Sequence, residues 1–217
     1  MSTMKKMSVR CSVCRAESEH YILTSTNSFG APDLDLRPPE MQRSTMPLWV
    51  QRCPRCGYVA SSLSTSAGEA RELVYSGEYK TCYGREFKSE LAKKFYQHYL
   101  IMSAHGKIKD AFYAALHAAW ASDDALDRER AREMRLIALK KLEKLMEIRR
   151  NDETLLLIRC DIMRRAGLFD ELIALYGETR LSDELPGAIL AFQLKKARER
   201  CDRRFTVSDA RNEGKLD

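Results

Sequence analysis

Four of the seven cysteines form two C-x-x-C pairs, Cys11-Ser-Val-Cys14 and Cys53-Pro-Arg-Cys56, with 38 residues between them. Two residues between cysteines let both sulfurs of one tight turn face a single ion, and two such turns supply a tetrahedral four-sulfur site. Gly57 follows the second pair and suits the positive φ that frees backbone N–H groups to point at thiolates. Pro54 stiffens the entry to that turn, and Tyr58 is placed to cover the site. Arg15 and Ala16 stand where glycine would suit the first turn better. The pattern predicts one structural zinc per chain, held by Cys11, Cys14, Cys53 and Cys56. Iron in a rubredoxin-like site is the alternative that the same ligand set allows. Four thiolates leave no open coordination position, so no catalysis is expected at the ion.

Other residues suggest weaker chemistry. Asp33, Asp35, Arg37, Glu40 and Arg43 crowd the segment between the pairs and form a possible recognition loop, since loops on a rigid scaffold often carry binding. A solvated loop whose acids and bases pair with each other or with helices is the plainer reading. His98, His105 and His117 would need to converge with a carboxylate to make a second metal site. Cys82 with one of them would imitate a Cys–His nucleophile, but no orienting acid is recognisable. Cys160 and Cys201 read as small core residues on helices. Residues 128–150 hold nine basic and four acidic residues, among them Arg128, Arg132, Arg135, Lys140, Lys141 and Lys144. They suit phosphate contacts, or equally the solvated face of a long helix.

The elements that must position these groups change character near residue 65. Residues 1–64 carry the paired cysteines and five of the six prolines, with strands expected at His20–Thr24 and Leu48–Gln51 and a polar loop over 27–45. Residues 65–217 read as helical, with a flexible C-terminal tail. Leu91, Phe95, Tyr99 and Met102 make one apolar face, and Ile108, Ala111, Phe112, Ala115 and Ala119 another after Gly106. A long helix is expected over 126–150 with Ala131, Met134, Ala138, Leu142 and Leu145 inward. A hairpin follows about Gly167, and a last helix covers about 188–204 after Pro186-Gly187. Helix, glycine turn and helix recur at an offset of 61 residues, pairing Gly106 with Gly167 and Met102 with Met163. That is the logic of tetratricopeptide-like (TPR-like) hairpins, although the period is not 34; an ordinary helical bundle is the alternative.

The fold class is therefore mainly α with a small β-containing zinc ribbon of four cysteines at the N-terminus. The 217 residues are 44% hydrophobic and 31% charged, which excludes global disorder. No apolar run is long enough to span a bilayer, so no membrane partner is expected. Residues 1–10 lack an apolar signal-like core, which sets the expectation of a cytoplasmic protein. Lys and Arg exceed Asp and Glu by 37 to 31, and a thiolate-bound zinc would bring the formal charge from +6 to about +4.

The run Trp49-Val50-x-x-Cys53-Pro54-x-Cys56-Gly57-Tyr58-Val59-Ala60, downstream of Cys11 and Cys14, resembles a bacterial family of unknown function. That family joins a split zinc ribbon to TPR-like helices. The resemblance implies a zinc ribbon and a bacterial cytoplasmic origin, and no reaction. The leading expectation is a protein–protein interaction or scaffold module whose partner is another protein. A nucleic-acid-binding ribbon is the first alternative, with weak binding expected. A hydrolase using loop carboxylates or Cys82 is the second.

Overall fold

In β1 (Thr3–Arg10) the apolar Met4, Met7 and Val9 follow no strict alternation with Lys5, Lys6 and Ser8, and the strand stays largely exposed. It pairs antiparallel with β2 (Glu17–Ser25), placing Met7 opposite His20 and Arg10 opposite Glu17. Two shorter strands, β3 (Gln51–Arg52) and β4 (Val59–Ala60), pair antiparallel in the same manner. Each hairpin is closed by one C-x-x-C turn. A computed structural model describes residues 1–65, 68, 70–181 and 183–213 of this chain.

The helices described are α1 (Ala70–Tyr75), α2 (Gly77–Lys80), α3 (Glu90–Ala104), α4 (Ile108–Asp124), α5 (Arg128–Ile148), α6 (Glu153–Arg165), α7 (Phe169–Tyr176), α8 (Glu184–Arg198) and α9 (Val207–Glu213). Side chains of Ser76, Ser89, Asp127 and Asp152 cap α2, α3, α5 and α6 by accepting from amides three residues on. Gly106 and Gly167 close α3 and α6 with φ of +65° and +77°, which glycine adopts without a Cβ clash. Alanines at 111, 114, 115, 118, 119 and 121 are buried on α4, so α3 and α5 approach it closely from either side. Of the α3 face expected from periodicity, Phe95 is buried while Leu91, Tyr99 and Met102 are half-buried; Ala92, Tyr96, Gln97 and Ile101 complete the buried face. The five expected core positions of α5 are all buried as well.

Among the described residues, two apolar clusters organise the chain. One gathers the C-x-x-C turns with Leu63, Ala70, Val74, Tyr79 and Ile101, so it extends past residue 65 into α1, α2 and α3. The other runs through α3 to α9 and includes Leu34, Met46 and Val50 from the N-terminal part.

Several expectations change in detail. His20–Thr24 lies inside β2, but of Leu48–Gln51 only Gln51 is in a strand. Leu48 ends a 3₁₀ turn over Arg43–Leu48, and the Trp49 indole Nε1 donates to Thr45 Oγ1 at 2.9 Å. The final long helix starts earlier than expected: Pro186 sits in its first turn, where a missing N–H costs nothing. It ends at Arg198, and Arg200 turns left-handed at φ +52°. Of the segment beyond, residues 207–213 form α9 against α8; residues 214–217 of the expected tail lie outside the described residues.

The loop over 27–45 is irregular, as its prolines require, and its outer residues such as Phe29, Glu40 and Ser44 are exposed, but its middle is not solvated. Leu34, Asp33, Asp35 and Arg37 are all buried. The Leu34 amide donates to the Phe205 carbonyl at 3.0 Å, and the Val207 amide donates to the Pro32 carbonyl at 2.9 Å. The loop thus clasps the C-terminal segment.

Candidate metal centre

The four cysteine sulfurs of residues 11, 14, 53 and 56 lie within 4.8 Å of one another. Cys11 Sγ is 3.7 Å from Cys56 Sγ, and Cys14 Sγ is 3.6 Å from Cys53 Sγ. A disulfide needs about 2.05 Å, so these are free thiols. A tetrahedral ion with bonds of about 2.3 Å requires sulfurs about 3.8 Å apart, which is close to the separation found. The donor set therefore fits a metal ion held wholly by protein. Among the described residues it is also the one group of three or more ligating side chains so placed.

Backbone hydrogen bonds explain how the sequence gathers them. The Arg15 amide donates to the Cys11 carbonyl at 2.9 Å, and the Cys11 amide to the Ala16 carbonyl at 2.9 Å. The second turn repeats both bonds: Gly57 to Cys53 at 3.0 Å and Cys53 to Tyr58 at 2.8 Å. Arg15 and Gly57 both take positive φ, at +62° and +78°. Burial pushes the Cys56 thiol up. At Cys14 the upward push of burial is outweighed by the Ala16 amide and the neighbouring sulfurs, which bring it down to about 7.

The helices lock the centre from outside. Tyr79 is fully buried, and its hydroxyl donates to the Gly57 carbonyl at 3.1 Å. The Ser12 amide donates to the Leu63 carbonyl at 2.9 Å. Tyr79 carries no local signal in the sequence, since its partner lies across the chain fold.

The expected recognition loop is placed differently. Asp33, Asp35 and Arg37 are each 1% exposed or less, so they offer no surface to a partner. Asp35 accepts from the Trp120 indole at 2.6 Å and lies 3.5 Å from Arg165. Arg37 pairs with Asp124 at 2.5 Å, and Arg43 with Asp33 at 2.7 Å. Glu40 accepts from Ser44 at the loop's outer edge. An unpaired carboxylate or guanidinium is costly to bury, and these pairs let the loop enter the core.

His98, His105 and His117 do converge, lining one cavity of about 390 Å³ together with Asp110, Trp49 and Phe95. Their nitrogens and that carboxylate do not form a ligating group of the kind the cysteines make among the described residues. Burial holds His98 down to about 4 and His117 to about 3, so both rings are neutral at pH 7. His117 packs its ring against Trp49, Phe95 and Trp120, as a core aromatic does.

Cys82 is fully buried, and burial pushes its thiol up, away from the thiolate that nucleophilic attack requires. Asp33 and Asp35 are likewise buried, Asp33 beside Arg43 and Asp35 beside Arg165, while Glu40 is exposed. Cys160 is a core residue of α6, whereas Cys201 lies beyond α8 and is half-buried, with its carbonyl accepting from Arg164. The basic residues of α5 divide between two faces. Lys140, Lys141 and Lys144 border Tyr83 and Tyr99, whereas Arg128, Arg132 and Arg135 border a second cleft.

No family model, curated protein or solved structure matches the chain. Among the described residues no helix is long and apolar enough to cross a membrane.

Proposed function

We propose that this protein is a zinc-binding interaction or scaffold module, in which a structural zinc on four cysteines fixes one end of a series of helical hairpins. The observation that carries the reading is the closed four-sulfur cluster, wired to the helices through Tyr79 and Gly57. With every coordination position filled by thiolate, the ion's contribution is folding energy. Zinc is the ion best matched to four thiolates at tetrahedral spacing in a small, loop-rich segment. The series α3, α4, α5 and α6, in which each helix packs on the next, supports a TPR-like arrangement presenting a surface to a protein partner. The resemblance of the Cys53-Pro-Arg-Cys56-Gly57-Tyr58 region adds a bacterial cytoplasmic setting to the proposal.

Metal analysis of the purified protein tests the centre. One zinc per chain is expected, lost in Cys53→Ser and Cys56→Ser together with proteolysis of the N-terminal third. Zinc retained in a variant lacking all four cysteines would sink the assignment. Affinity capture with mass spectrometry tests the scaffold role: recovery of one stoichiometric protein partner is expected, and recovery of nucleic acid alone would overturn it.

A further inference from the structure

A cleft of about 590 Å³ opens between α5, the ends of α4 and α6, and the segment after α8, with Arg37 reaching it from the loop between the C-x-x-C pairs. Seven guanidiniums and three carboxylates line it, a formal excess of four positive charges, with Leu126, Ala131 and Ala166 adding an apolar wall of comparable extent. Its volume falls in the range of small-molecule sites. Like charges gathered round one concavity repel one another, and a ligand of opposite charge offsets that cost.

The arginines divide into two groups. Arg37, Arg135 and Arg165 are buried or nearly so and already committed: Arg135 grips both oxygens of Asp123, Arg165 reaches Asp123 at 2.7 Å and Asp35 at 3.5 Å, and Arg37 holds Asp124. These pairs fix the floor. At the rim the guanidiniums are exposed and more loosely held. Arg128 makes no ion pair or side-chain hydrogen bond among the described residues. Arg132 uses its Nε on the Ala166 carbonyl at 2.9 Å, which orients the fork and leaves its terminal nitrogens free. Arg203 leans over the Phe205 ring, and Arg204 stands 3.7 Å from Asp33. Two rim arginines thus come from the first turns of α5 and two from the segment after α8.

We infer that this cleft binds the diphosphate group of a small phosphorylated molecule. An arginine fork matches phosphate oxygens in pairs, whereas a lysine would act as a point charge. A diphosphate carries about three negative charges near neutral pH, which the formal excess of four offsets. The ion-paired floor holds its guanidiniums in place before the ligand arrives, so rim arginines alone need ordering.

Isothermal titration of the full, metal-loaded chain with inorganic pyrophosphate at about 150 mM salt tests this. One site per chain is expected, with orthophosphate binding at least about tenfold more weakly. Arg128→Gln with Arg132→Gln, and separately Arg203→Gln, should each weaken pyrophosphate by about tenfold or more. Melting curves and metal content check that these exposed-site variants remain folded. Lys140→Gln with Lys144→Gln, on the other face of α5, should leave binding unchanged. Absence of pyrophosphate binding to the wild type would overturn the inference. So would equal losses in the lysine variant, or a single-stranded oligonucleotide that displaces pyrophosphate and binds more tightly at the same salt.

Discussion

Arg15 and Gly57 hold equivalent positions in the two C-x-x-C turns, each left-handed and each donating its amide to the first cysteine carbonyl. Only one of them is glycine. An L-residue in that region costs about 1–2 kcal/mol, so the first turn carries strain that the second avoids. Nothing lies within 4 Å of a Cβ added to Gly57, so a side chain there meets backbone strain alone. Gly57→Ala should therefore destabilise the metal-loaded protein by about 1 kcal/mol, whereas Arg15→Gly should be neutral or slightly stabilising. Urea unfolding followed by circular dichroism measures both, and equal losses in the two variants would contradict the equivalence.

The same conformational argument applies to the helical part at Gly167. Its φ of +77° closes α6, and no atom crowds a Cβ built there. Gly167→Val should cost more than about 1 kcal/mol, because a β-branched residue takes positive φ poorly. Gly167→Asn should recover much of that loss, since asparagine tolerates the left-handed region. Thermal melts in which valine costs nothing would remove Gly167 as the hinge of the hairpin.

What the sequence makes legible is what local geometry decides. C-x-x-C spacing fixes which sulfurs meet, and apolar spacing on α5 marks Ala131, Met134, Ala138, Leu142 and Leu145 as inward. The loop over 27–45 misleads because its burial depends on distant partners. Arg37 meets Asp124 across 87 residues, and Asp35 meets Trp120 across 85. Prolines and charges in a row read as solvent until those counter-charges are known. The strand β1 is silent for a related reason: its Lys5, Lys6 and Ser8 bury almost nothing, so no apolar alternation announces it.

Two half-buried histidines set an acid sensitivity. His98 and His117 titrate near 4 and 3 in the folded chain, below the ordinary histidine value of 6.5, because burial disfavours their charged forms. Asp110 raises His98 slightly, while His98 and Arg37 lower His117 further. Between pH 6.5 and about 4 the unfolded chain therefore binds more protons, and folding stability falls as pH drops through that window. It is fully present above 6.5. Unfolding free energy measured between about pH 7 and 5 should decline with a steeper slope in the wild type than in His98→Gln or His117→Gln. Identical slopes in all three proteins would show that these rings do not set the sensitivity.

The basic helix α5 bears on what the surface holds in solution. Several of its charges are already answered: Arg130 pairs with Glu133, Arg135 with Asp123, and Glu143 with Arg159. Lys141 donates to Ser103 at 2.6 Å and rests over the Tyr99 ring, which leaves Lys140 and Lys144 as the outer charges of that face. About two or three phosphate contacts give weak, sequence-independent attraction that falls steeply with salt. Short single- and double-stranded oligonucleotides should accordingly bind no tighter than about 10 µM at about 150 mM salt. Fluorescence anisotropy at two salt concentrations reads this directly. Submicromolar binding at the higher salt, abolished by Lys140→Glu with Lys144→Glu, would replace the scaffold reading with a nucleic-acid one.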